Sequence, residues 1–308
     1  MSLDTISLFC GAGGLDLGFK EAGFNIVWAN DIDKFAVQTY KENFGDYVAL
    51  GDLNEMDFND IPLADVIIGG FPCQPFSMMG KEKGFKDTRG TLFFTITEVI
   101  KNQMERGNYP KAIVLENVRR LLTHDHGDTF KTIKHELKKL GYTNINYQIL
   151  NTADYGIPQT RNRIFIVCFR DDSIQFKYPE KEKLELTLQD LLESNVDDKY
   201  FLSDRILPTI LADGSGNYHS KSEIDLKIAR PLCSTMHKMH RACQDNYVTD
   251  HGRIRRLTPR EAARLQGFPE SFKIPVSDTQ AYRQFGNAVT VKVANKVACA
   301  VREALDEK

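Results

Sequence analysis

The stretch Thr5-Ile6-Ser7-Leu8-Phe9-Cys10-Gly11-Ala12-Gly13-Gly14-Leu15 carries a short apolar run straight into a glycine turn and out into an amphipathic segment. A short β-branched run bounded by glycine reads as a buried strand, and the turn after it lets a ligand approach the backbone at a helix N-terminus. The same strand signal returns at 25–30, 65–70, 112–116, 145–150 and 163–169. Helix-like stretches lie between at 15–22, 34–43, 92–105 and 130–140, the last closed by Gly141 as a C-cap. Strands alternating with helices predict an α/β fold with a doubly wound, Rossmann-like sheet. From about residue 186 the rhythm gives way to segments punctuated by Ser, Asp, Gly and Pro, which predicts a second, smaller irregular domain. A last helix over 288–304, with Val289, Val293, Val297 and Ala300 as its apolar face, is expected to return to the first domain and cover its core. The expected division is therefore 1–185 with 280–308, and 186–279.

A length of 308 residues, at roughly 150 per domain, agrees with two domains. With 42% hydrophobic and 27% charged residues the chain is neither disordered nor collagen-like. No run approaches the 18 apolar residues of a membrane span, and the first residues carry no basic leader, so no membrane role and a cytoplasmic location are expected. The six cysteines form no Cys-x-x-Cys pair, which fits a reducing compartment and predicts no bound metal. The net charge of −2 conceals an asymmetry. Residues 1–66 hold 12 acidic and 3 basic side chains, whereas 230–264 hold 8 Lys or Arg against 3 acidic residues. Such a basic cluster is either a face that neutralises phosphates or an ordinary solvated surface. The stretch 78–90, with Lys81, Lys83, Lys86 and Arg89, is a second, weaker basic patch.

Several strand ends carry chemistry. The glycine turn fails the dinucleotide fingerprint, because Asp16 stands where Gly or Ala is required. Asp31 ends the second strand 18 residues after Gly13, about where a carboxylate takes a ribose diol. Asp52, after Gly51, suits either an adenine amine or a plain turn. The fourth strand signal leads into Gly69-Gly70-Phe71-Pro72-Cys73-Gln74-Pro75-Phe76-Ser77, which puts a cysteine in a Pro-flanked turn where open α/β sheets hold ligands. Cys73 is either a low-pKa nucleophile or an inert buried thiol. In Ala112-Ile113-Val114-Leu115-Glu116-Asn117-Val118 a carboxyl sits at another strand's end. Burying it is costly, so Glu116 is either an acid with a raised pKa or a capped or salt-bridged side chain.

The order of these segments resembles the cytosine-C5 DNA methyltransferase family, of the bacterial restriction-modification or orphan type, whose signature is Pro-Cys followed later by Glu-Asn-Val. The likeness extends through the glycine loop 9–15, Pro72-Cys73-Gln74, Asp87-Thr88-Arg89-Gly90-Thr91-Leu92-Phe93, Glu116-Asn117-Val118, Gln159-Thr160-Arg161-Asn162-Arg163, the block 260–269, and Gln284-Phe285-Gly286-Asn287-Ala288-Val289. It implies an S-adenosylmethionine-dependent enzyme that leaves S-adenosylhomocysteine as product. Cys73 would add to carbon-6 of a flipped cytosine, Glu116 would hold or protonate N3, and Arg163 and Arg161 would hold the base and orient the acid. The resemblance assigns Phe9, Gly11, Ala12, Gly13, Gly14, Leu15, Asp31, Ile32, Asp52, Leu53, Gly70, Pro72, Leu92, Asn287 and Ala288 to the cofactor pocket. Asp31 stands where the family often has Glu, and Ala288 where Ser is frequent. The stretch 78–90 would close over the base, and 186–279 would recognise the target in double-stranded DNA. Ser77, Lys81, Lys83, Arg89, Thr235, Met236, Lys238 and Arg241 are the expected DNA contacts. The family further implies a monomer acting on a specific short duplex sequence at the nucleoid, alongside a cognate restriction endonuclease. A transfer-RNA cytosine methyltransferase is the alternative enzyme, and a non-catalytic DNA-binding module the alternative of another class.

Overall fold

The computed structural model describes residues 2–71, 92–212, 223–236, 238 and 245–307. Seven strands form one sheet: β1 (Leu3–Leu8), β2 (Phe24–Asp31), β3 (Val48–Leu50), β4 (Val66–Gly70), β5 (Ala112–Val118), β6 (Asn144–Asn151) and β7 (Asn162–Phe169), in the order β3-β2-β1-β4-β5-β7-β6. β1 pairs in parallel with β2 on one side and with β4 on the other, so the chain changes direction of winding at β1. β4 and β5 are parallel, and β7 runs antiparallel to β5. The helices are α1 (Gly14–Glu21), α2 (Lys34–Phe44), α3 (Leu92–Glu105) and α4 (Asp128–Lys139). The strands agree with the expected ones to within two residues at each end, and β3 is the addition: three residues at a sheet edge are too few to show a period.

Burial explains the sheet. β4 and β5 read as continuous apolar runs, Val66-Ile67-Ile68 and Ala112-Ile113-Val114-Leu115, because both faces are covered. Ile6, Leu8, Ile67, Ile113, Leu115, Ile164 and Ile166 share one cluster with Phe93, Ile96, Val99 and Ile100 of α3 and Ile133 and Leu137 of α4. Each such side chain contributes on the order of 1.5–3 kcal/mol on burial.

Contacts divide the chain into two compact units. The first is 1–150, 162–180 and 293–308, and the second is 151–161 and 181–292. These units do not follow the boundaries expected at 185 and 280, since 151–161 and 280–292 cluster with the second. A division by contact is not a division by role.

The last helix, α8 (Val291–Asp306), begins three residues later than expected. Ala288 caps the preceding helix in an extended conformation, with ψ 146°, so Val289 lies outside α8. Its buried stripe in the first unit is Val293, Ala294, Val297, Ala298 and Val301, with Ala300 only half-buried. Asn295 and Arg302 donate to the carbonyls of Gly18 and Gly23, which ties this helix to α1 as a covering layer of the first unit.

The second unit holds α5 (Leu207–Leu211), the hairpin of β8 (Tyr247–Asp250) and β9 (Arg253–Arg256), α6 (Pro259–Leu265) and α7 (Asp278–Asn287). The hairpin turns on His251 and Gly252, both with positive φ, the requirement of the tight turn that matches strand twist. The basic cluster of 230–264 is not one solvated face. Arg255 is 0% exposed, and Arg230, Arg253 and Arg264 pair with Glu223, Asp198 and Glu270.

Candidate active site

The C-terminal ends of β1, β2, β4 and β5 carry Phe9, Gly11, Asp31, Gly70 and Glu116, while Asp52 follows β3, Leu92 opens α3 and Arg163 lies in β7. Those strand ends are the crest where an open α/β sheet whose strand order reverses offers a crevice. After β1, Phe9 and Gly11 both adopt φ 58° and Gly13 φ 85°, and the turn is closed by the Gly13 amide donating to the Cys10 carbonyl at 2.9 Å. A Cβ on Gly13 would stand 2.3 Å from the Phe44 ring, whereas one on Gly11 would meet nothing within 4 Å. The loop is therefore packed below and open above at Gly11.

Asp31 is fixed from two sides. One carboxylate oxygen accepts from the Gly11 amide and the other from the Asp33 amide, each at 2.8 Å. Burial pushes its pKa above the ordinary carboxylate value, against those two hydrogen bonds. Each oxygen keeps a second lone pair, which suits a pair of vicinal hydroxyls. Beside it Ile32 is 68% exposed, and Leu50, paired with Asp31 across β2 and β3, is 54% exposed. A held carboxylate, an open glycine and two exposed apolar side chains fit the ribose and ring of an adenosyl group. Asp52 faces another partner: its Oδ1 accepts from the amide and side chain of Asn54, capping a short 3-10 turn. Leu53 is buried in the main core cluster, as are Ala12, Gly14 and Leu15 in their own surroundings, so these four act through the backbone or by packing. Gly70 and Leu92 are half-buried, and Asn287 and Ala288 end α7 in the second unit.

Below the glycine loop, Asp16 is wholly buried and accepts from the Tyr40 hydroxyl at 2.8 Å. Burial pushes its carboxyl up to about 6. A folded-state pKa above the unfolded one means that the native chain holds the proton more tightly, so this group's stabilisation is present at low pH and is lost as pH rises from about 4 to 6. A shift of about two units corresponds to roughly 3 kcal/mol. Asp16→Asn keeps the acceptor for Tyr40 and removes the titration. Urea unfolding at pH 4.5 and 7.5 is expected to show the variant's advantage growing toward the higher pH; an equal difference at both would mean that Asp16 does not titrate in this range.

At the other side of β4, Gly70 pairs with Glu116 of β5. Glu116 is 7% exposed, and its Oε1 lies 3.1 Å from Nε of Arg163. Across the antiparallel pair Glu116 faces Phe165, so Arg163 is its diagonal neighbour on the same face. Burial pulls the Arg163 guanidinium below its usual pKa while Glu116 holds it up. Asn117 was quoted in the motif without a role, and the structure supplies one. Its Nδ2 donates to the Phe71 carbonyl at 2.7 Å, and its Oδ1 accepts from the Val118 amide. Phe71 immediately precedes Pro72-Cys73 in the sequence, so β5 holds the last described residue before them; a buried Asn one residue after a strand-ending Glu is the signal. Arg119 and Arg120, exposed directly after β5, are two further cations that the sequence reading passed over.

The Arg161 guanidinium donates to the carbonyls of Leu232, Gly286 and Ala288 within the second unit. Thr235 is half-buried, Lys238 exposed, and Met236 buried. Pro72, Cys73, Ser77, Lys81, Lys83, Arg89 and Arg241, with the stretch 78–90, lie outside the described residues. Among the described residues no group of three His, Cys, Asp or Glu is placed to hold a metal, and no helix is long and apolar enough to cross a membrane.

Solved structures share this fold. The chain matches a Dnmt2 methyltransferase of S. pombe with a TM-score of 0.79 and 23% identity, covering 99% of both chains. It matches the methyltransferase EhMeth of Entamoeba histolytica with a TM-score of 0.77 and 23% identity, covering 100% of this chain and 99% of that one. The fold is thus that of a methyltransferase. The family model described as C-5 cytosine-specific DNA methylase matches residues 3–303, and the chain belongs to that family. It is 43% identical over 317 residues to the type II methyltransferase M1.ScrFI of Lactococcus lactis subsp. cremoris, covering 98% of this chain and 78% of the relative. It is 34% identical over 320 residues to the type II methyltransferase M.HhaI of Haemophilus parahaemolyticus, covering 98% and 95%. The chain is accordingly an enzyme that methylates carbon-5 of cytosine in DNA.

Proposed function

We propose that the chain takes its methyl group from S-adenosylmethionine and places it on one cytosine of a specific short duplex sequence, by way of a covalent adduct with Cys73. The observation that carries this reading is the nearly buried Glu116–Arg163 pair at the end of β5, beside the Asn117 side chain that holds the residue before Pro72-Cys73. Cytosine carbon-5 is a poor nucleophile. The Cys73 thiolate forms a bond to carbon-6, and the electron pair of the 5,6 double bond becomes available at carbon-5. Glu116 holds a proton at N3, so that charge does not build up on the ring, and Arg163 fixes the carboxyl on the face from which it does so. When bound, S-adenosylmethionine supplies an electrophilic methyl group and leaves as S-adenosylhomocysteine. Asp31, the backbone at Gly11, and Ile32 would hold its adenosyl part; Phe9, Leu92, Asn287 and Ala288 are assigned the same role by the resemblance alone. Loss of the carbon-5 proton and breakage of the bond from Cys73 to carbon-6 release 5-methylcytosine. A base paired inside a duplex is out of reach of these groups, so it must be flipped, at a cost of a few kcal/mol.

On this reading 186–279 recognises the target, with Thr235 and Lys238 on the described part of the surface and Ser77, Lys81, Lys83, Arg89 and Arg241 as further DNA contacts. The enzyme acts as a monomer in the bacterial cytoplasm, and an endonuclease of the same specificity is its natural companion. Base-resolution bisulfite sequencing of DNA from a methylation-free host expressing the chain tests the proposal. One recurring short motif, methylated only when Cys73 is intact, is the expected result. No methylated motif from a folded chain that binds S-adenosylmethionine would overturn it, and bisulfite sequencing of small RNA would follow.

A further inference from the structure

Within the second unit, the segment 232–236 is gripped almost entirely by its main chain. Arg161 is fully buried and donates Nη1 to the Leu232 carbonyl at 2.8 Å. Its Nη2 donates to the carbonyls of Gly286 and Ala288 at 3.1 and 2.9 Å, so one rigid guanidinium ties the segment to the end of α7. Gln159, two residues earlier, accepts from the Leu232 amide at 2.9 Å. α7 makes the second grip. A Cβ on Gly286 would stand 2.3 Å from the carbonyl carbon of Cys233 and 2.4 Å from the amide nitrogen of Ser234, which are backbone atoms that cannot turn aside. Arg256 makes the third: it donates to the Met236 carbonyl while its guanidinium lies 4.5 Å over the Tyr282 ring.

A segment held by its carbonyls and amides keeps its path whatever its side chains are, and it presents those side chains in a fixed register. We infer that Arg161 and Gly286 are positioning residues for target discrimination, setting where Ser234 and Thr235 meet the bases. This rests on the reading of 186–279 as the recognising part. It gives Arg161 a different task from the one the resemblance implied, since its guanidinium donates to backbone carbonyls of the second unit. The three N–H donors of a lysine radiate from one nitrogen and do not reproduce the planar fork whose two nitrogens reach these carbonyls, and an alanine at 286 must push the 233–234 backbone away by about an ångström to reach ordinary contact.

The test is steady-state methylation by wild type, Arg161→Lys and Gly286→Ala on duplexes carrying the motif found by bisulfite sequencing and on each of its single-base variants. Both substitutions act on one segment from different elements, so both are expected to raise KM for the cognate duplex. Both should also lower the ratio of kcat/KM between cognate and variant duplexes at least about fivefold, a fraction of what one base pair supplies. A direct catalytic role would instead lower kcat on every duplex and leave the ratio intact; a merely structural role would lower the melting temperature and leave the ratio intact. Either pattern in the variant that folds overturns the inference. Wild type serves as the internal standard: if it does not discriminate at all, the recognition reading fails and this inference fails with it, whereas a discriminating wild type with unchanged variants sinks the inference alone.

Discussion

A Cys73→Ser chain is expected to bind S-adenosylmethionine as wild type does and to transfer methyl groups at least about a thousandfold more slowly. On the proposed mechanism the reason lies in the attack on carbon-6, which needs a charged, polarisable nucleophile. A thiol with an ordinary pKa near 8.5 provides some thiolate at neutral pH, and a serine hydroxyl provides essentially no alkoxide. The exchange alters one atom, and the described contacts of the first unit do not involve it. Asn117 reaches the Phe71 carbonyl, Arg163 reaches Glu116, and Asp31 is held by the Gly11 and Asp33 amides. Cofactor binding by calorimetry and melting temperature should therefore match wild type while transfer of labelled methyl to duplex DNA vanishes. Turnover near the wild-type rate would remove Cys73 from the mechanism and leave Glu116 and Arg163 to be explained some other way.

That expectation comes from the family resemblance, while the sequence by itself marks where such residues stand, for a physical reason. Chemistry at the ends of buried parallel strands is written in a restricted alphabet: apolar runs such as Ile113-Val114-Leu115 leave little choice of conformation, so the first polar residue after them stands out. Glu116 and Asp31 were legible for that reason, and so was the sheet. The partner of each was not. Glu116 meets Arg163 only because β7 runs antiparallel to β5 in a register that places 163 diagonally from 116, and register is a property of the folded sheet. The second unit was less legible still. Its hairpin of β8 and β9 has four-residue strands and turns on His251-Gly252, too short for any period to show. Its arginines read as a cationic surface, because charge counts along a sequence carry no information about which side chains are paired and buried. Arg161 makes the same point: two arginines two residues apart share a motif, yet one faces a carboxylate of the sheet and the other three carbonyls of the second unit.

Arg255→Met is expected to destabilise the chain by about 3–5 kcal/mol. Arg255 is 0% exposed and meets Glu261, equally buried, through two parallel hydrogen bonds of 2.9 and 2.8 Å, with a third from Nε to Asp250 at 2.7 Å. Glu261 is needed for more than this pair, since it also accepts from the amides of Thr258 and Glu193 and so closes the cap of α6. Removing the cation leaves that carboxylate buried with only neutral donors, and the cost of an uncompensated buried charge exceeds the worth of the pair itself. A methionine fills much of the volume, so the loss measures charge more than packing. Chemical denaturation should show the drop, with a melting temperature lower by on the order of 10 °C. The double variant Arg255→Met, Glu261→Gln separates the two causes, because glutamine still accepts from an amide and carries no charge. Recovery of a large part of the stability in the double variant assigns the loss to the stranded carboxylate. No recovery would mean that the fork of Arg255 onto β8 and α6 holds the second unit by geometry, and that its charge is incidental.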